Sequence, residues 1–325
     1  MGDPAGISAE ITIKSWLTRA NDSVPPFVFF GSDELLHERA KLMKCNIKTK
    51  KIKHLEGAPV DEIFKEFLPV FDIPIIYESP GKYTGQNNRQ ILESILIAHE
   101  SISKGITAAL VTNPVNKNSL AYEGLNFSGQ TELCAYLCKA SSPVMLMMND
   151  TIKVVPLTRH IPLSKVAQTI DPPLIEHAVS IINKDLKKYF DISKPKIVLT
   201  GLNPHAGDSG LLGDEEINII SPTITKLQKK GIDIHGPASA DSLFYSKNLE
   251  KYDLVICMYH DQALIPIKTI AGYSAINVTL GINIVRTSPD HGTAYEIAEK
   301  NIANPSSLIR SLIAADHIAQ RDVPN

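Results

Sequence analysis

Short apolar runs rich in β-branched residues alternate with helical patterns along most of the chain. Phe27–Phe30, Ile106–Thr112, Val144–Met148, Ile152–Thr158, Ile197–Gly201, Asp253–Met258 and Ala275–Thr279 predict strands. Several are hydrophobic throughout rather than alternating, as strands covered on both faces are. Between them, Ile91, Ile95, Ala98 and Ile102 form one stripe at helical spacing, and Ile217, Ile220, Ile224 and Leu227 form another. Asp171 before Pro172 reads as an N-cap with proline in the first turn, opening a helix through about Lys188. Strands alternating with helices predict an α/β protein with largely parallel sheets. No internal repeat or low-complexity linker interrupts the pattern, so a domain boundary must be a crossing of the chain.

Length and charge narrow the picture. At 325 residues, two domains are the natural expectation. Lys and Arg total 33 against 35 Asp and Glu, a net charge of −2, which gives no footprint for nucleic acid or an anionic membrane. No apolar run approaches the roughly 20 residues needed to span a bilayer. Met1-Gly-Asp-Pro-Ala-Gly6 has neither the basic-then-apolar order of a signal peptide nor the Ser or Thr that myristoylation prefers. The cysteines at 45, 134, 138 and 257 lack a second pair to complete a zinc site, and read as small apolar residues in a reducing compartment. A cytoplasmic protein is expected, without nucleic acid or membrane as partner.

Three histidines share one local setting. His160, His205 and His260 each follow an apolar strand at its carboxyl end, where open parallel sheets place ligands. Three neutral imidazoles converging there would bind a divalent metal and leave coordination positions open. The segment Gly201–Glu216 is glycine-rich, and Gly207, Gly210 and Gly213 allow positive φ and close approach of backbone to a ligand. The acidic triplet Asp214-Glu215-Glu216 suits the positive end of a following helix. No G-x-G-x-x-G occurs, so a nicotinamide cofactor would bind outside a standard Rossmann domain. Phe127–Leu133 reads as a helix entrance suited to an anion. Lys268, Asn277 and Arg286 lie beyond the third histidine and are placed to close on the same anion, Arg286 through two parallel hydrogen bonds.

These residues also carry a resemblance. Gly2-Asp-Pro-Ala-Gly-Ile7, Asn113-Pro-Val-Asn-Lys117, Gly201-Leu-Asn-Pro-His-Ala-Gly207, Met258-Tyr-His-Asp-Gln262, Asn277-Val-Thr-Leu-Gly281 and Arg286-Thr-Ser-Pro-Asp-His-Gly-Thr-Ala294 are similar to the 4-hydroxythreonine-4-phosphate dehydrogenases of pyridoxal phosphate synthesis. The likeness runs from the first residues to about position 310. It implies an isocitrate/isopropylmalate-dehydrogenase-like α/β fold of two α/β/α domains with a cleft between them. The first would comprise 1–127 and 288–325, and the second 128–287, carrying the metal ligands and dimer interface. It implies a homodimer that oxidises a phosphorylated hydroxy-amino acid with NAD or NADP and then releases carbon dioxide. His160, His205 and His260 match the family's metal ligands, one supplied across the dimer interface; zinc, cobalt or magnesium would serve. Thr131, Lys268, Asn277 and Arg286 match its substrate contacts, with Gln130 beside them. His291, Gly292, Thr293 and Ala294 match the cofactor-binding stretch.

Three departures stand out. Gln130 replaces the family's usual His, so it can donate to phosphate but cannot become cationic. Glu299 and Asn301 stand where the wider superfamily often has glycines. The chain opens directly on Gly-Asp-Pro-Ala-Gly, where relatives carry a preceding strand, so a further N-terminal segment is expected. Asp241 and Asp261 are the candidate proton acceptors, and Asp261 is equally suited to orienting an imidazole. The rival readings are a dehydrogenase of a four-carbon sugar-acid phosphate (threonate or erythronate 4-phosphate), a phosphate acyltransferase and a metabolite-binding protein without turnover.

Overall fold

The computed structural model describes residues 1–321. They form two compact units, Met1–Ser141 with Ile282–Gln320, and Ser142–Gly281, with Arg321 grouped with the second. The fold class is α/β, as the alternation predicts. The chain crosses between units at 141–142 and 281–282, against the 127–128 and 287–288 drawn from sequence. Helix Gln130–Leu137 stays with the first unit because Cys134 and Ala135 pack against Ala98, Leu110, Ile282 and Ile284.

In the first unit, Leu68–Asp72 lies between Phe29–Gly31 and Thr49–Lys51, all parallel. Ala109–Val111 pairs in parallel with Val285–Pro289. A core of Ile11, Ile13, Leu36, Leu68, Val70 and Leu312 ties helices Ser8–Leu17, Asp33–Leu42 and Ser306–Arg321 to the three-stranded sheet. A cavity of about 340 Å³ lies in this unit, lined by Phe29, Ala98, Leu110, Leu308 and Leu312 among others. Arg39 sits inside the core at 2% exposure. It donates to Ala298 O at 2.7 Å, Pro4 O at 3.0 Å and Gly6 O at 3.2 Å, holding the Gly2–Ile7 segment. Arg39→Met should strip the donors from these carbonyls and lower stability by about 2–4 kcal/mol, read as a reduced Tm in calorimetry. An unchanged Tm would show that Arg39 fills space only.

The second unit holds six neighbouring strands in the order Ile234–Ala238, Ile197–Thr200, Leu254–Cys257, Lys153–Pro156, Val144–Met148, Ile276–Leu280. The first four are mutually parallel, and Val144–Met148 runs antiparallel to both of its neighbours. Asp171 caps Pro172–Tyr189 by accepting from Leu174 N at 2.8 Å, and the helix buries Ile175, Val179, Ile182 and Leu186. In the second predicted stripe Ile220, Ile224 and Leu227 are buried, whereas Ile217 is exposed. A wide turn at Glu216–Ile220 shifts the phase ahead of helix Ser221–Lys229. No helix among the described residues is long and apolar enough to cross a membrane.

Four strands in these sheets lie outside the runs that the sequence pattern predicts. Thr49–Lys51 is polar, Leu68–Asp72 and Ile234–Ala238 contain proline, and Val285–Pro289 is polar in sequence yet buried throughout. The last is buried because its polar side chains find partners, as at Arg286 and Thr287.

Candidate metal and substrate sites

The three histidine-bearing strands are adjacent and parallel, Ile197–Thr200 and Lys153–Pro156 flanking Leu254–Cys257. Their carboxyl ends therefore meet at one edge. Side chains staple that edge together. Gln262 accepts from Met258 N at 2.7 Å and Thr200 Oγ1 at 2.8 Å, and donates to Gly201 O at 2.9 Å. Thr158 Oγ1 donates to Met258 O at 2.8 Å.

The His160 and His260 rings lie 5.8 Å apart, centre to centre. Two imidazoles sharing a tetrahedral ion through bonds of about 2.1 Å have ring centres about 5 Å apart, so this pair fits a common cation. His260 Nδ1 lies 2.6 Å from Asp261 Oδ1. With Nδ1 donating to that carboxylate, Nε2 keeps its lone pair for a metal, a geometry that suits Asp261 to orienting the ring as well as to accepting a proton. His205 lies near Asp241 instead. The hydrogen bond from Ser239 and the neighbouring His205 hold the Asp241 carboxyl below its usual range. Among the described residues, no three His, Cys, Asp or Glu side chains group closely enough to hold a metal within one chain.

His205 opens an unusual turn. His205, Ala206, Gly207, Asp208 and Ser209 all have left-handed φ, between 42° and 81°. Each non-glycine residue there costs roughly 1–2 kcal/mol, so something must hold the turn. Gly207, Gly210 and Gly213 take the positive φ read from sequence. A Cβ on Gly207 would lie 2.7 Å from Glu216 Oε2, and one on Gly213 would lie 2.3 Å from Asn203 Nδ2. The chain packs here against its own polar side chains.

The first unit carries a second polar cluster at the start of helix Gln130–Leu137. Arg286, 3% exposed, donates to Thr112 Oγ1 at 2.6 Å and to Thr131 Oγ1 at 3.3 Å. Burial lowers its pKa. Gln130 Nε2 donates to Asn113 O at 2.8 Å, while its Oε1 and Asn113 Oδ1 are buried with no protein partner. Thus Gln130, Thr131 and Arg286 meet around a helix N-terminus. Lys268 and Asn277 belong to the second unit, Lys268 exposed near the end of helix His260–Ala271 and Asn277 on strand Ile276–Leu280 with Oδ1 buried.

His291–Ala294 folds onto the chain's first loop. Ile7 N donates to Thr293 O at 3.0 Å, and a Cβ on Gly6 would lie 2.7 Å from that oxygen. Ala294 is left-handed, with φ 48°. Tyr295 Oη donates to Asp3 Oδ2 at 2.6 Å and accepts from Asn116 Nδ2 at 3.2 Å. Burial pushes the Asp3 carboxyl up despite these bonds. Three of the segments that carry the resemblance, Gly2–Ile7, Asn113–Lys117 and Arg286–Ala294, therefore belong to one local structure.

The family profile described as pyridoxal phosphate biosynthetic protein PdxA matches residues 22–315. The chain belongs to this family. It is 40% identical over 329 residues to a 4-hydroxythreonine-4-phosphate dehydrogenase of Methylorubrum extorquens, covering 99% of this chain and 93% of that protein. A Bradyrhizobium diazoefficiens protein of the same name is 40% identical over 98% of this chain and 95% of its own. The crystal structure of the 4-hydroxythreonine-4-phosphate dehydrogenase from Klebsiella pneumoniae superposes with a TM-score of 0.86 at 34% identity, covering 98% of this chain and 96% of that one.

In this PdxA-family chain, sequence reading named the histidines and Arg286 but missed the residues that support them. Thr112, Thr158, Glu216 and Gln262 act through hydrogen bonds to backbone or to other side chains. Only Glu216 and Gln262 left a sequence signal, as members of segments already singled out for their neighbours.

Proposed function

We propose that the protein catalyses the NAD- or NADP-dependent oxidation of 4-phosphohydroxy-L-threonine and its decarboxylation to 3-amino-2-oxopropyl phosphate, in the cytoplasm, as a homodimer. The observation that carries this reading is the meeting of three parallel histidine-bearing strand ends at one edge, two of their rings at a separation that suits one ion. One of the three imidazoles would come from a second copy of the chain, as the family resemblance implies.

His160, His205 and His260 would hold the ion, zinc, cobalt or magnesium. That ion would polarise the substrate hydroxyl and stabilise the negative charge developed as carbon dioxide leaves. Asp261 fixes the His260 tautomer. Arg286, Thr131, Gln130 and the first amides of helix Gln130–Leu137 would bind the phosphate, with Lys268 and Asn277 as further substrate contacts. That grip turns remote binding energy into positioning of the reacting carbon. His291–Ala294 would contact the nicotinamide dinucleotide. Asp241 is the remaining candidate for the proton acceptor, although its lowered pKa makes it a weak base.

NADH formation on 4-phosphohydroxythreonine, compared with threonate and erythronate 4-phosphates and repeated with a strong chelator, tests the reading. Preference for a sugar-acid phosphate would transfer the assignment to that rival, and full activity with chelator would remove the metal from it.

Gln130 supplies a finer test. A histidine there becomes cationic below about pH 6.5 and favours an anion. Gln130→His should therefore bind substrate more tightly than the parent at pH 6 and about equally at pH 8, by calorimetry. The parent-to-variant ratio corrects for the phosphate's own titration. A ratio independent of pH would place position 130 away from the phosphate.

A further inference from the structure

The left-handed turn at His205–Ser209 buries almost nothing. Gly207 is its one buried residue, while His205, Asp208 and Ser209 are exposed. Packing therefore does not account for it. What the turn does is aim His205 from the end of strand Ile197–Thr200, and the chain provides one group that holds it in place. Glu216 is 2% exposed. Its Oε1 accepts from Leu202 N at 2.7 Å and from Asn203 N at 2.8 Å, and its Oε2 accepts from Asn203 Nδ2 at 3.0 Å. The same Oε2 lies against Gly207, where a Cβ would approach to 2.7 Å. Burial pulls the Glu216 carboxyl up, but the hydrogen bonds from Asn203 and Leu202 outweigh it and keep the group ionised.

We propose that Glu216 is the positioning residue for His205. It is a carboxylate anchored at the head of the wide turn Glu216–Ile220 that hydrogen-bonds the loop just before His205, packs against Gly207 just after it, and so fixes the direction of the imidazole. Ile220, Ile224 and Leu227 root that turn and its helix in the core, so the grip is referred to a rigid element. Gln262 holds the same margin of the loop one residue earlier, through Gly201 O. A loop hydrogen-bonded at Gly201 and at Leu202-Asn203, and packed against Glu216 at Gly207, has little freedom to turn the His205 ring away. This assignment rests on the reading of His205 as a metal ligand.

The test uses the metal-stripped full chain and its Glu216→Ala and Glu216→Gln variants, titrated with zinc by calorimetry well below each Tm. Removal of a group that orients a ligand typically weakens metal binding 10–100-fold, and Glu216→Ala should do so. Glu216→Gln keeps the oxygen that accepts from both backbone amides and should remain within about fivefold of the parent. A purely structural role would lower the Tm of Glu216→Ala without changing zinc affinity in the folded protein. Chymotrypsin cleavage after Leu211 and Leu212 is a readout independent of metal. It should be at least about tenfold faster in Glu216→Ala, as for a loop released to open locally, and near the parent rate in Glu216→Gln. If the parent binds zinc and Glu216→Ala binds it equally well, the proposal is overturned. If the parent binds no zinc, the metal reading of His205 fails by itself; equal cleavage of all three proteins then overturns the grip of Glu216 on the loop as well, and selective cleavage of Glu216→Ala upholds that grip alone.

Discussion

Arg286→Ala should lower kcat/KM on the phosphorylated substrate by about 10³-fold, since truncating one partner of a buried, hydrogen-bonded charge pair costs several kcal/mol. The guanidinium is fully enclosed and spans two threonines from different segments, Thr112 after strand Ala109–Val111 and Thr131 in the first turn of its helix. Its fork geometry is what lets one side chain hold both and, on the proposed reading, present a further N–H to the phosphate. Arg286→Lys should therefore lose most of the same activity although it keeps the charge, because an ammonium cannot reproduce the planar fork. Steady-state NADH formation beside a calorimetric Tm separates the catalytic loss from unfolding. Activity within tenfold of the parent in a folded Arg286→Lys would show that the fork does not grip the phosphate.

On the proposed metal-assisted reading, His205→Ala and His260→Ala should each reduce turnover below about one-thousandth while leaving the chain folded, because the metal and the charge stabilisation it would supply are lost together. Metal per chain, measured by elemental analysis after dialysis, should fall in step with activity. Asp261→Asn is the graded member of the series. It leaves three imidazoles but removes the carboxylate that sets the His260 tautomer, and should cost about 10–100-fold in metal affinity. If His205→Ala retains both metal and turnover, the turn at 205–209 serves something other than the ion. The two sets of variants probe different units of the molecule, so their effects are separable.

The strands most legible in the sequence were those that are apolar throughout. Val144–Met148, Ile197–Thr200 and Leu254–Cys257 are buried along most of their length, and their side chains announce it. Val285–Pro289 is as buried as any of them, yet its sequence reads as polar. Its burial depends on partners such as Thr112 and Ser311, which are distant in the chain. No window of neighbouring residues contains that information. Ile217 illustrates the converse: periodicity assigned it to a buried face, and one wide turn carried it to the surface.

The sequence by itself determined the α/β class, the helix from Pro172, the carboxyl-end setting of His160, His205 and His260, and the candidate anion-binding residues. Local pattern suffices for these because apolar periodicity, capping chemistry and strand-end position are properties of short stretches. Only the tertiary structure decided that the three histidine strands are adjacent, that Arg286 bridges Thr112 and Thr131, and that Gly207 and Gly213 make room for Glu216 and Asn203. These outcomes turn on strand order and on hydrogen bonds between residues far apart in sequence, and strand order follows from how the whole chain buries its apolar faces.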